Sequence, residues 1–217
     1  MTRQPWTTAP LVALDLEGTG GQDRDREQIL EIAIVPLDGG FPDMTAAWDT
    51  TVNPGRMVAP RPWIARELTG DILFTAPALD DIRAEIVDRL DARIIVGHNI
   101  GVDWRLLRRL VPEAQPSALI DTAQLYRHGH PASRRWNLVR LLEKYALNAQ
   151  VHQLVPASRP HRALWDAVGA ALLLPSLIED LPSTTSPTME ELTRLAGVPL
   201  LGKASRMAEV EQVALDV

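Results

Sequence analysis

The 217-residue chain has no cysteine, which excludes disulfides and thiolate metal sites. Lysine is nearly absent too: Lys144 and Lys203 stand against twenty arginines, a habit of composition that tempers any reading of a basic surface. Long hydrophobic runs are missing. The longest uncharged apolar stretch, residues 167–174, is far too short to span a bilayer. The opening Met1-Thr2-Arg3-Gln4-Pro5-Trp6 lacks the apolar segment of a signal peptide. A soluble cytoplasmic protein with no membrane contact is therefore expected. What remains is ordinary for a folded globule: 46% apolar and 23% charged residues, long enough for one domain with a sizeable core and a tail.

The formal charge is −6, which argues at first against a nucleic-acid partner. Its distribution is uneven. Between residues 127 and 162, Arg127, Arg134, Arg135, Arg140, Lys144, Arg159 and Arg162 face Glu143 alone, so this stretch carries +6 and the rest −12. A local basic patch on an acidic protein suits a transient contact with a short substrate better than a tight DNA-binding scaffold.

Apolar runs at residues 11–16, 28–36 and 46–53 read as three strands joined by short connections, an antiparallel meander. Residues 63–68 are expected to form a short helix ended by Gly70. Apolar positions 79, 82, 86, 87 and 90 predict an amphipathic helix over 79–90. Short strands at 93–96 and 118–120 flank a helix running to Leu110. Further helices are expected at 137–146, 162–178 and 188–196, the last capped by Ser186. The fold class that follows is α/β, a mixed five-stranded sheet flanked by helices. Residues 180–188, rich in Pro, Ser and Thr, read as a linker, dividing the chain into 1–180 and an extension at 181–217.

The chemistry begins in Leu14-Asp15-Leu16-Glu17-Gly18-Thr19-Gly20. Side chains at i and i+2 of a strand share a face, so Asp15 and Glu17 project together. Two like charges side by side are costly to bury unless a cation lies between them, which points to a divalent metal with oxygen ligands. Asp103, in His98-Asn99-Ile100-Gly101-Val102-Asp103, sits in the first turn of a helix, where an acid also complements the helix dipole. Asp166, in His161-Arg162-Ala163-Leu164-Trp165-Asp166-Ala167, opens the most apolar helix, where a charge calls for a partner or a metal. His161 precedes it by five positions, about 140° around a helix, and so belongs to the approach rather than the helix face.

These motifs, in this order, resemble the DEDDh 3′–5′ exonucleases, the family of the DNA polymerase III proofreading subunit, oligoribonuclease, ribonuclease T and exonuclease X. Ile29-Leu30-Glu31-Ile32-Ala33 and Leu119-Ile120-Asp121-Thr122 are supporting matches, and the likeness runs from about Leu11 to about Ile178. It implies a ribonuclease H-like fold and two Mg²⁺ or Mn²⁺ ions. Asp15 would bridge them, Glu17 and Asp166 would hold the ion carrying the attacking water, and Asp103 would support the other. His161 is implied as the general base; an imidazole titrates near neutral pH. Gly18, Thr19, His98 and Asn99 are implied substrate contacts, with Gly18 standing where many members have Thr. Burial of four acids together predicts raised carboxylate pKa values without metal.

The implied activity is hydrolysis of single-stranded nucleic-acid 3′ ends to nucleoside 5′-monophosphates. DNA is preferred here because the late helix and short extension are loosely like exonuclease X; trimming of RNA or oligoribonucleotides is the competing reading. A non-catalytic subunit of a replication or repair assembly is a third, against which four clustered acids argue. Trp104, Trp136 and Trp165 are candidates for stacking on bases. Core packing is the better account of Trp104 and Trp165, and Trp136, among arginines, is the better nucleic-acid contact. His128-Gly129-His130 lacks a third ligand spacing for zinc and reads as a flexible loop. The terminal Gln212-Val213-Ala214-Leu215-Asp216-Val217 is faintly similar to sliding-clamp peptides without their aromatic end, so the tail is a candidate site for a replication or repair partner. Removal of the tail beyond Asp180 is expected to leave hydrolysis of a short oligonucleotide largely unchanged.

Overall fold

Alternation along β1 (Leu11–Gly18) builds two cores at once. Leu11 and Ala13 enter one, Val12 and Leu14 the other, and all four are buried. Period two demands this of a central strand covered on both faces. The structure, a computed structural model, describes residues 5–68, 70–132, 136–182 and 186–200. β1 pairs antiparallel with β2 (Ile29–Asp38), which also pairs antiparallel with β3 (Phe41–Pro42) and β4 (Trp48–Thr51). Helices α1 (Asp71–Thr75) and α2 (Leu79–Leu90) lead to β5 (Ile94–Gly97), parallel to β1. Next, α3 (Gly101–Leu110) leads to β6 (Ala118–Asp121), parallel to β5. Helices α4 (Thr122–Gly129), α5 (Leu138–Lys144), α6 (Asn148–Leu154), α7 (Ala163–Glu179) and α8 (Met189–Ala196) complete the described chain. The main sheet order is β3-β2-β1-β5-β6.

One core lies between the sheet and α7. Ala13 and Ala33 from the strands share it with Ala163, Ala167 and Ala171 of the helix. Small side chains on both surfaces let helix and sheet approach closely. The opposite core takes Ile86 and Leu90 of α2 and Leu106 and Leu107 of α3. No helix among the described residues is long and apolar enough to cross a membrane.

Several expectations are corrected. The sheet has six strands, because the two-residue β3 was too short to leave a sequence signal. Residues 63–68 form turns instead of a helix, and the short helix starts after Gly70. Ile64 and Leu68 enter a small third core with Leu30 and Leu73, and successive turns can satisfy that spacing as well as a helix can. His128 and Gly129 end helix α4 rather than forming a flexible loop, and His130 stacks on Tyr126 at 4.4 Å between centroids. Thr188, not Ser186, caps α8, in a reciprocal box with Glu191. Leu192 and Ala196 enter the main core, so the core does not end at residue 180. Arg134, Arg135 and the terminal 212–217 lie outside the described residues.

Candidate active site

Asp15 and Glu17 fall on the α7 side of β1, in step with Leu11 and Ala13. The same period applies on β2, where Glu31 sits opposite Glu17 in the antiparallel register. Beyond Ala13, β1 no longer pairs with β5, which frees its backbone on that side. The carboxylate of Asp103, from the first turn of α3, fills the opening, and Oδ1 accepts the Leu16 N–H at 3.0 Å. Asp166 comes from the first turn of α7. Four acids from two helices and one strand thus converge where β1 parts from β5.

Their electrostatics follow from that crowding. Burial, then the charges of Asp103, Asp166 and Glu17, holds Asp15 well above the usual carboxylate range. Glu17 is pushed up to about 8, again chiefly by burial, with Asp166 and Glu31 adding to it. Burial raises Asp103 to about 7 against the hydrogen bond from Leu16, and Asp166 to about 7 against a backbone hydrogen bond from His161. A site whose acids all resist ionisation is one that a cation would relieve. Ligand atoms of Glu17, His161 and Asp166 lie within 4.8 Å of one another, close enough to share an ion. A donor set of carboxylate oxygens suits a hard divalent cation.

His161 is exposed and has a φ of 65°, the left-handed region that costs a β-carbon about 1–2 kcal/mol. Its neighbours hold it there. Arg162 pairs with Glu31, and Arg159 pairs with Glu67. Beside it opens a hollow of about 480 Å³ lined by Trp63, Arg66, Glu67, Arg159 and His161. Sequence reading noted Glu31 only as a motif match, counted Arg162 only as a basic residue, and placed Trp63 in a helix. The available signal was one acid inside the apolar Ile29-Leu30-Glu31-Ile32-Ala33.

The expected substrate contacts divide. Asn99 and Trp136 line one hollow of about 390 Å³ with Val102 and Asn137. Trp136 also lies against Tyr126 and Lys144, so part of its surface is already used. Thr19 is buried and turned inward, its Oγ1 accepting the Gln28 N–H at 3.2 Å, which closes the loop after β1. A side chain at Gly18 would be tightly packed: a Cβ there would lie 3.1 Å from the Gln28 carbonyl and 3.2 Å from Leu106, so these neighbours would have to yield by a few tenths of an ångström. His98 is half-buried, with Nδ1 3.0 Å from the Thr122 hydroxyl, and it steadies the start of α4. Asp121 caps the same helix and accepts the Asn99 N–H at 2.9 Å. Trp104 and Trp165 are core residues.

Comparison with known proteins agrees with this geometry. The Exonuclease family (RNase_T) matches residues 12–174. DNA polymerase III subunit epsilon of Aquifex aeolicus (strain VF5) is 24% identical over 174 residues, 78% of this chain and 81% of that protein. The 3′–5′ exonuclease DinG of Bacillus subtilis (strain 168) is 26% identical over 192 residues, 85% of this chain but only 19% of the relative. Among solved structures, exonuclease X in complex with 5′ overhanging duplex DNA superposes with a TM-score of 0.65 at 26% identity, covering 84% of this chain and 99% of the other. The chain belongs to the DEDDh-type 3′–5′ exonuclease family.

Proposed function

We propose that this chain is a divalent-metal-dependent 3′–5′ exonuclease that trims single-stranded DNA ends to nucleoside 5′-monophosphates. One observation carries the reading: four carboxyls with raised pKa values converge beside an exposed histidine that is held in a strained conformation. Asp15, Glu17, Asp103 and Asp166 would hold two Mg²⁺ or Mn²⁺ ions. Bound there, the metal would neutralise the scissile phosphate and make its water a nucleophile at neutral pH.

The chain's own groups do the rest. His161, over the Glu17 and Asp166 oxygens, takes the proton of the attacking water at a ring nitrogen. Glu31 holds the segment that presents it by binding Arg162. Asn99 and Trp136 receive the strand in their shared hollow, where the indole offers a face to a base. DNA is the preferred substrate because exonuclease X was solved on DNA and the Aquifex relative is a DNA polymerase subunit.

The test compares 5′-labelled single-stranded DNA, duplex DNA and short RNA with Mg²⁺ and with Mn²⁺, with Asp15→Asn as control. Stepwise shortening of single-stranded DNA by the parent alone is expected. Faster shortening of RNA would move the substrate class, and no metal-dependent shortening of any substrate would leave the binding-subunit reading in its place.

A further inference from the structure

Residues 197–200 lie against the helix that carries Asp103. Gly197 bridges antiparallel to Ile120, and the Val198 N–H donates to the Leu119 carbonyl at 3.1 Å. Two residues on, the Leu200 carbonyl accepts the Trp104 indole N–H at 2.8 Å. Val198 and Leu200 pack on the core that holds Trp104, Leu106 and Leu107. Val198 lies so near α3 that a Cβ on Gly101 would be 3.4 Å from its Cγ1. Upstream, Leu192 and Ala196 anchor α8 in the main core. All of this lies beyond residue 174, where the family match ends.

Helix α3 has a weakness at the turn that matters. No side chain caps its N-terminus, so the turn relies on packing and on bonds from elsewhere. That turn carries Asp103, whose Oδ1 must stay aimed at the Leu16 N–H across the gap between β1 and β5. Contacts from other elements add restraint. The Asp103–Leu16 bond is one, and the indole beside it, tied to Leu200, is another.

We infer that residues 197–200 form a strap that positions Asp103 for metal binding, with Trp104 as the positioning residue. The inference rests on the reading of Asp103 as a metal-binding acid. Trp104→Phe keeps an aromatic ring, smaller than the indole, and removes the donor. In the full-length chain, calorimetric titration with Mn²⁺ should show about three- to tenfold weaker binding, the size of one lost hydrogen bond. Hydrogen exchange of residues 100–110 in metal-free protein should quicken as well. Val35→Ala, in the opposite core, serves as the control: it lowers thermal stability without moving Mn²⁺ affinity.

A second variant reaches the strap without touching α3. An added Cβ at Gly197 would lie 2.2 Å from the Thr193 carbonyl, so Gly197→Ala must displace the segment. It should weaken Mn²⁺ binding likewise, and it decides the matter should Trp104→Phe fail to fold. Asp103→Asn is titrated alongside. Parent-like affinity in the strap variants, with loss in Asp103→Asn, overturns the strap. Parent-like affinity in Asp103→Asn overturns the metal-site reading itself.

Discussion

The guanidinium of Arg162 grips the carboxylate of Glu31, its Nε lying 3.0 and 2.9 Å from the two oxygens, and the same carboxylate accepts the Ala163 N–H at 2.9 Å. One acid on β2 thereby neutralises the arginine after His161 and satisfies an N-terminal amide of α7, where the helix dipole favours negative charge. The segment that carries His161 is tied to the sheet through this carboxylate.

The pair predicts an asymmetry. The Glu31 side chain is 2% exposed and that of Arg162 25%, so Arg162 can find water when its partner is lost and Glu31 cannot. Arg162→Met should destabilise the protein by about 3–5 kcal/mol, the cost of stranding a buried charge. Glu31→Gln should cost less, about 1.5–3 kcal/mol, because the neutral amide can still accept the Ala163 N–H. Urea unfolding of both variants checks the order; equal losses, or a larger loss in Glu31→Gln, would show that Glu31 is not the vulnerable partner.

Asp15→Asn and Asp166→Asn should each lower turnover by roughly a thousandfold or more, since charge stabilisation by metal is worth several kcal/mol. Metal-free stability should hold or rise, because each change removes one like charge from a crowded site. Steady-state rates and thermal melts in EDTA test the two halves together. Gross unfolding would mark these acids as structural.

His161→Ala should lower turnover by about 10²–10⁴-fold, the usual contribution of a general base. His161→Gly should be equally inactive but at least as stable as the parent, because glycine adopts the observed φ of 65° without penalty. Thermal midpoints of the three proteins, read beside their rates, check this; a glycine variant less stable than the alanine variant contradicts the strain.

Stability of the metal-free protein should fall as pH rises. Glu17 moves from 4.5 to about 8 on folding, and Asp103 and Asp166 from 3.8 to about 7. The folded state holds protons that the unfolded chain has released, so this contribution is complete below about pH 4 and is lost as pH climbs through about 7 to 8. Melts in EDTA between about pH 5.5 and about pH 8.5 should show a declining midpoint, and saturating Mn²⁺ should flatten the decline by taking the protons' place. A midpoint that climbs in EDTA over that range would reverse the sign.

Truncation after Asp180 should cost stability, whatever it does to hydrolysis of a short oligonucleotide. Leu192 is buried in the main core, and Leu192→Ala alone should cost about 2–5 kcal/mol. Denaturant midpoints of the truncated and substituted chains test this; a truncated chain as stable as the parent would restore a boundary near 180.

Local pattern carried a good deal of this protein. Period two set Asp15 beside Glu17, period 3.6 located the helix at 79–90 to the residue, and the order of the acids named the family. The first two depend only on neighbours within a few positions, where backbone geometry dictates which side chains meet, and the third only on order along the chain. Other features needed the folded chain. Glu31 meets Arg162 across 131 positions, and Trp104 meets Leu200 across 96. Thr19 turns inward, and a side chain at Gly18 would be crowded, because the Gln28 backbone and Leu106 lie close there. Residues 188–196 read as a helix beyond a Pro- and Ser-rich linker, with apolar positions that could dock on this domain or on a partner, and Leu192 and Ala196 find their apolar surface on α4 and β6. That surface exists only once distant segments have packed together, since burial is a property of the assembled surface and composition records only how much of it a segment can fill.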